Sequence, residues 1–461
     1  MLPRRHAFLA AAAALLAVTP PSRAGDHLFV VTSDGITGGA GDTAALDLLP
    51  PWTATTHLEP VGAPATVRHA LGLHWVVNAS PGDDVQAIDP ATFETVRRFP
   101  AGAGSNPRDI AVVHAGSSWV SRYDSRWLLE IDPATGAPLD SVDLGVFADE
   151  DGLPEMAWVA VDGDRLFVQV QRIDRLSSGT TVPPALLAVV DLGTGDLIDV
   201  DAAREGIQGI ELLGPVPQGR MQIEGRSLFV ATPGGFLDVR GGIEEIDLDT
   251  FAHLGFLASE EDWAIDFGAF VLVSPTRGYV VNHTDFALSS HLHSFSRPDG
   301  AFLAEHFVTF SMVENLAYDA VTDQLFFPDP ESGVRVFRGA TGEALGGPVA
   351  AGGPPRDLIV HRAGTASTPE PPWRPAIVLA PNPSVSKTQV IVTVSPAGAR
   401  RVTIHDVAGR LVRRLGQTGP FVRTTLEWDG RDEAGRRVAS GTYVVHVEGG
   451  ATGSRLLVRL R

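Results

Sequence analysis

Four short segments set charged or amide side chains in matching contexts: Pro107-Arg108-Asp109-Ile110, Pro154-Glu155-Met156-Ala157, Val313-Glu314-Asn315-Leu316 and Pro355-Arg356-Asp357-Leu358. They make Arg108, Asp109, Glu155, Glu314, Asn315, Arg356 and Asp357 the candidate ligand-binding residues. Guanidinium forks beside carboxylates can hold a small polar or anionic molecule through paired hydrogen bonds. The same groups can also neutralise one another as an ion network around trapped water, and that is the expected arrangement.

A second group is rich in imidazole. His283, Asp285, His291, His293 and His306 fall close together, and His291-Leu292-His293 puts two rings on one face of a strand. Two such histidines with a carboxylate can hold a metal, but the spacing matches no zinc signature, so no metal ligands are assigned. Asp149-Glu150-Asp151-Gly152 reads as a solvated acidic loop in preference to a cation site. No Walker-type phosphate loop and no Gly-x-Ser-x-Gly elbow occurs, so no catalytic residue is named and the reading leans away from an enzyme. No cofactor is called for, a divalent cation being the one candidate. The chain has no cysteine, which removes thiolate sites, cysteine nucleophiles and disulfides together.

These residues need elements to position them, and the elements repeat. An apolar strand end, an Asp or other polar residue and a tight Thr/Gly turn recur at Ile88-Asp89-Pro90-Ala91-Thr92, Ile131-Asp132-Pro133-Ala134-Thr135-Gly136 and Val190-Asp191-Leu192-Gly193-Thr194-Gly195. Further copies are Ile246-Asp247-Leu248-Asp249-Thr250, Phe295-Ser296-Arg297-Pro298-Asp299-Gly300 and Phe337-Arg338-Gly339-Ala340-Thr341-Gly342, with Leu46-Asp47 a weaker first member. Their spacing, 42 to 59 residues, suits the four strands of a propeller blade. Asp accepts from amides two or three residues on, and Gly tolerates the positive φ that closes such a hairpin.

The candidate-site segments precede the strands Trp119-Val120, Leu166-Phe167-Val168 and Leu325-Phe326-Phe327 in phase with this repeat. Two copies are incomplete: Pro355-Arg356-Asp357 has no strand after it, and Leu28-Phe29-Val30-Val31 has none before it. Each supplies what the other lacks. Asp357 to His361 is therefore expected as the innermost strand of the blade whose second strand is Leu28 to Val31, closing a ring of seven blades.

The run Asn106-Pro107-Arg108-Asp109-Ile110-Ala111-Val112, an apolar strand, then Leu128-Leu129-Glu130-Ile131-Asp132-Pro133-Ala134-Thr135-Gly136 resembles the YVTN-type propeller repeat. Such repeats also occur in bacterial surface proteins and in lactonase-like propellers. The propeller architecture, the export signals described below and the lack of a catalytic motif favour a binding protein; the alternative is a lactonase-like or other hydrolase with its site at the channel mouth.

Beyond the Pro-rich stretch 365–375, strands with alternating pattern resume at Gln389-Val390-Ile391-Val392 and Arg401-Val402-Thr403-Ile404, between Gly/Asp turns, as a small β-sandwich requires. His405-Asp406-Val407-Ala408-Gly409-Arg410, Trp428-Asp429-Gly430-Arg431 and Ser440-Gly441-Thr442-Tyr443 resemble the Ig-like domain of flagellar hook-capping proteins and type IX secretion sorting domains. The resemblance implies passage to, or retention at, the cell surface.

The start of the chain points the same way. Arg4, Arg5 and His6 precede an apolar run from Ala7 to Val18, and Ser22-Arg23-Ala24 suits signal cleavage. The run is shorter than the ~20 residues of a spanning helix. A net charge of −19 disfavours nucleic acid and anionic lipid as partners. The expected organisation is all-β: signal peptide 1–24, seven-bladed propeller 25–364, linker 365–375 and Ig-like sorting-like module 376–461. The expected role is a secreted or cell-surface binding or scaffold protein. Its expected partners are the export machinery and a protein, glycan or small-molecule ligand, with no nucleic acid and no stable membrane insertion.

Overall fold

Short runs of Leu, Phe and Val become strands here because both of their faces are buried. In His27–Ser33, Leu28 and Val30 pack with Phe326, Val334 and Val336, whereas Phe29 and Val31, pointing the other way, pack with Val67, Val76 and Ile88. Alternation with period two thus serves two neighbouring sheets at once. This is why the strands read as apolar runs instead of alternating patterns.

The computed structural model describes residues 25–33, 40–173, 175, 184–234, 238–284 and 289–363, and in the C-terminal part 376–380, 383–385, 387–393, 401–407, 409–417, 424–447 and 453–460. The expected leader 1–24, the linker 365–375 and Asp285 lie outside the described residues. Among the described residues the fold is nearly all-β: seven four-stranded antiparallel sheets form the blades, followed by two sheets of a C-terminal sandwich. Blade one is built from Pro355–His361, His27–Ser33, Gly41–Asp47 and Ala54–Thr55. The innermost strands of blades two to seven are Ala65–Ala70, Pro107–His114, Met156–Asp162, Gln218–Glu224, Asp266–Ser274 and Ala317–Asp319. No described helix is long and apolar enough to cross a membrane.

The ring closes through the two incomplete segments. Val31 pairs with Asp357, Leu28 with Val360 and His27 with His361. Closure removes the open edge of the first strand, whose unpaired amides would otherwise template aggregation. Arg362 then ties both Asp26 and Asp319, and the Ala363 amide donates to Asp26 Oδ1 at 2.8 Å.

The outer turns follow the expected chemistry. Asp89, Asp132, Asp191 and Asp247 each accept from the amide two residues on, at 2.7 to 2.9 Å. Gly136, Gly195 and Gly342 take the left-handed position that ends the turn, with φ of 72°, 75° and 77°. In blades two and five Phe93 and Phe251 hold that position instead, at φ 60° and 58°. Both rings are turned onto the core, where apolar burial offsets the backbone cost.

In the C-terminal sandwich, Ala376–Ala380, Thr388–Thr393 and Thr424–Trp428 face Leu411–Gln417, Arg401–Asp406, Gly441–Val447 and Gly453–Arg459. Trp428 is fully buried among Val390, Val402, Ile404, Val445 and Leu457, and its Nε1–H donates to Arg431 O at 2.9 Å. Arg459 lies over the same ring. A Cβ at Gly430 would fall 2.0 Å from that guanidinium, so the turn after Trp428 demands glycine in both space and φ (72°).

Candidate functional site

The inner strands converge on the channel, and the register shows which side chains share a level. Asp109 pairs with Ser121 and Asp357 with Val31, equivalent places in blades three and one. Each carboxylate ties two adjacent blades. Asp109 accepts from the Ile110 amide at 2.9 Å and from the Val159 amide of the next blade at 3.0 Å. Asp357 does the same with Leu358 and Val67, both at 2.8 Å.

Both then meet an arginine in the channel. Arg68 Nε and Nη2 reach the two Asp109 oxygens at 2.8 and 2.5 Å. Arg220 Nη2 meets Asp357 at 2.7 and 2.8 Å and also donates to Val67 O at 2.6 Å. Both guanidinium groups meet the Trp158 ring, Arg68 Cζ at 5.4 Å and Arg220 Cζ at 5.6 Å. Burial pushes the Asp357 carboxyl up, opposed by Arg220, by the two amides and by Arg68. Asp109 and Asp357, both buried, are therefore engaged as interblade ties in the channel.

The other candidates stand on the inner strands, as Arg108 and Arg356 do, or just before them, as Glu155, Glu314 and Asn315 do. Arg108 and Arg356 each keep a buried Nε without a hydrogen-bond partner. Arg108 Cζ stacks 4.6 Å above Tyr123, which Arg175 also covers at 4.8 Å. Glu314 is exposed, and Asn315 beside it is buried. Glu155 does not match Arg108 as the sequence alignment implied. It matches Asn106, the residue before Pro107: both take left-handed backbone, φ 47° and 50°. The ladder agrees: the Tyr123 amide donates to Asn106 O and the Gln171 amide to Glu155 O, next to the pairs Pro107–Arg122 and Met156–Val170.

Glu155 is fully buried, accepts from the Ile173 amide and lies 3.2 Å from Arg175 Nε. Burial pushes its carboxyl up to about 7, with Arg175 opposing and Asp151 and Asp149 adding to the rise. Asp149, Asp151 and Glu155 bring one oxygen each within 4.8 Å of one another, while Glu150 stays exposed. Their turn is self-bonded, Asp151 N to Asp149 Oδ1 and Leu153 N to Asp151 Oδ1.

In blade six His291 and His293 do share a face, and both meet Glu305 Oε2, at 2.8 and 3.2 Å. The carboxylate is held below its usual range by the two rings. His306 bonds Ser294 instead, and His283 bonds Ser290. Burial pushes His283 down to about 4. The unfolded chain takes up this proton near pH 6.5 and the native state does not, so native stability falls as pH drops from about 6.5 to 4. Replacing His283 by Gln should flatten denaturation midpoints measured between pH 7 and 4 by about 1–2 kcal/mol, after discounting for partial exposure.

Sequence reasoning missed Arg68, Trp158 and Arg220, which complete the channel, because their strands break the Pro-Arg-Asp pattern. It also missed a second histidine group. His27, His69, His74 and His361 meet where the ring closes, drawn together by the pairings His27 with His361 and His69 with His74.

Comparison with known proteins adds the following. Residues 384–453 match the FlgD Ig-like domain. The match covers the C-terminal module and says nothing of the propeller. A comparison with curated protein sequences finds no match. Among solved structures, AztD from Citrobacter koseri in its apo form is similar over 73% of this chain and 98% of that one, at 14% identity and TM-score 0.45. The computationally designed Ika8 protein is similar over 86% and 97%, at 14% identity and TM-score 0.40. The Pan2 WD40 domain of Neurospora crassa is similar over 71% and 85%, at 9% identity and TM-score 0.42. The propeller assignment rests on the strand pairing itself.

Proposed function

We propose that this chain is an exported binding protein whose propeller holds a small organic anion at the channel mouth and whose C-terminal module directs it to the cell surface. One observation carries the reading. Arg68 and Arg220 are ion-paired with Asp109 and Asp357, Arg220 leaving only its Nε unbonded, whereas Arg108 and Arg356 carry the same kind of buried, unbonded Nε–H and have no ion pair among the described residues. A buried donor without an acceptor costs about 1–3 kcal/mol, which a bound carboxylate would recover. Arg108 and Arg356 stand on blades three and one, with only the smaller Ala65 and Thr66 on the intervening inner strand.

The rim of Tyr123, Arg175 and Glu155 offers a stacking face and a second charge beside Arg108. Support for export comes from the basic-apolar-small pattern of residues 1–24 and from the likeness of residues 384–453 to the FlgD Ig-like domain. A thermal-shift panel of small carboxylates and acidic sugars on the full chain tests the binding. At least one should raise the melting temperature, and the Arg108→Ala/Arg356→Ala double variant should lose that shift while keeping its own melting temperature. A shift that persists in the double variant overturns the assignment. Deleting residues 376–461 should leave the propeller folded but absent from the cell surface on fractionation.

A further inference from the structure

We propose that the seam where the ring closes is a binding site for a divalent transition metal, with zinc its expected occupant, built from His69, His74 and His361 and oriented by His27. This inference is independent of the mouth. The inner strands Ala65–Ala70 and Pro355–His361 begin at the mouth, so His69 and His361, near their last residues, lie toward the opposite face.

Four imidazoles meet there. His27, the first residue of its strand, pairs with His361 on the closing strand, and His69 pairs with His74 across the blade-two hairpin. His27, His74 and His361 are buried, with exposures of 2%, 0% and 8%, and His69 is half-buried. One nitrogen from each of His69, His74 and His361 lies within 4.8 Å of the others. Phe29 stacks on His74 at 4.2 Å and Phe93 meets His27 at 5.0 Å, so the walls are aromatic.

The hydrogen bonds set the rings for metal. His27 Nδ1 faces Gly25 O at 2.9 Å, and a carbonyl only accepts, so the His27 proton sits on Nδ1. In its neutral form His27 then offers a lone pair at Nε2, which lies 3.0 Å from His74 Nε2. His74 donates there, and its own lone pair is left at Nδ1, which points at His69 Nδ1 from 3.2 Å. A ligand histidine whose second nitrogen donates to a fixed acceptor is the usual supporting arrangement of a metal site.

His361 Nδ1, in a ring nine-tenths buried, has no hydrogen-bond partner. Two nitrogens on a tetrahedral zinc with bonds of about 2.0–2.1 Å stand roughly 3.3 Å apart. The His69–His74 pair is already at that separation, and His361 has a short distance to close. Three imidazoles beside the Phe29 and Phe93 rings suit zinc, copper or nickel and offer little to magnesium or calcium.

The ligands come from the closing strand and from blade two, and the orienting ring comes from the first strand. A bound ion would therefore clasp the ring closed. The test uses the full chain without a histidine tag, stripped with chelator and titrated with zinc at neutral pH. One equivalent should bind and raise the melting temperature. His69→Gln and His361→Gln should each weaken zinc by more than tenfold, His27→Gln by about 10–100-fold. His291→Gln/His293→Gln in blade six should leave that affinity unchanged. Absence of zinc binding by the parent chain overturns the proposal, as does binding that survives the seam variants and disappears in the blade-six variant. An anomalous difference map at the zinc edge from the metal-loaded parent protein needs no variant. A peak among His69, His74 and His361 supports the site, and a peak only elsewhere refutes it.

Discussion

Replacing Arg220 by Met is expected to cost the propeller about 3–5 kcal/mol, because it strands the Asp357 carboxylate in the channel without its cation. Asp357 is buried, and Arg220 supplies two of its contacts while also donating to Val67 O and Leu358 O. The substitution therefore leaves one buried charge and two carbonyls short of a donor. Urea denaturation of the parent and variant measures the loss. Adding Asp357→Asn removes the charge and keeps an oxygen for one of the amides of Val67 and Leu358. The double variant should thus lose less than the two single changes together, by about 0.5–3 kcal/mol.

The pH dependence has a definite sign. Burial already raises the Asp357 pKa, and loss of Arg220 raises it further. A carboxyl with a raised native pKa binds its proton more tightly folded than unfolded, so the Arg220→Met deficit should shrink as pH falls toward the ordinary carboxylate range. A deficit that grows on acidification would show that Asp357 is not the stranded group. Arg108→Ala and Arg356→Ala remove no matched carboxylate and should cost little by comparison, which separates the tie in the channel from the rim at its mouth.

Ending the chain after Gly353 is expected to abolish cooperative folding of the propeller, whereas ending it after Ala363 should preserve it. The first truncation removes Pro355–His361, the innermost strand of blade one, and leaves one edge of His27–Ser33 without its hydrogen-bonding partner. Leu28, Phe29, Val30 and Val31 are fully buried in the closed ring, and Leu358 belongs to the cluster that joins blades one and seven. Without that strand the apolar edge is open to other chains, and aggregation should follow. The second truncation keeps the closing strand and the Arg362 ties to Asp26 and Asp319. Size-exclusion chromatography and denaturation profiles separate the outcomes. A soluble, cooperatively folded chain ending at Gly353 would mean that ring closure is dispensable.

The two candidate regions differ in how far sequence could reveal them. Asp109 and Asp357 were legible because both belong to a Pro-Arg-Asp motif in phase with the strands. Their partners were not. Arg68 sits in Ala-Thr-Val-Arg-His-Ala and Arg220 in Gln-Gly-Arg-Met-Gln-Ile, neither of which carries the motif. Glu155 shows a subtler limit. A Pro-Glu dipeptide appeared to match Pro-Arg, yet the strand pairing sets Met156, not Pro154, level with Pro107 and so Glu155 level with Asn106.

What the chain determined by itself was local or periodic. Apolar runs of strand length, Asp-led turns and their recurrence specify blades, and two half-blades at opposite ends specify closure. The Trp428-Asp429-Gly430-Arg431 and Ser440-Gly441-Thr442-Tyr443 pair marked the C-terminal module, because burial of one indole and the space taken by Arg459 restrict which residues fit. What only the tertiary structure decided was which distant side chains meet. His27 and His361 lie near opposite ends of the propeller and become partners through one antiparallel register. Arg220 reaches Asp357 because the inner strands of blades one and five face a common channel. A repeat fixes where each strand lies, but contact across the axis or the seam depends on the closed ring, and no spacing within the chain encodes that distance.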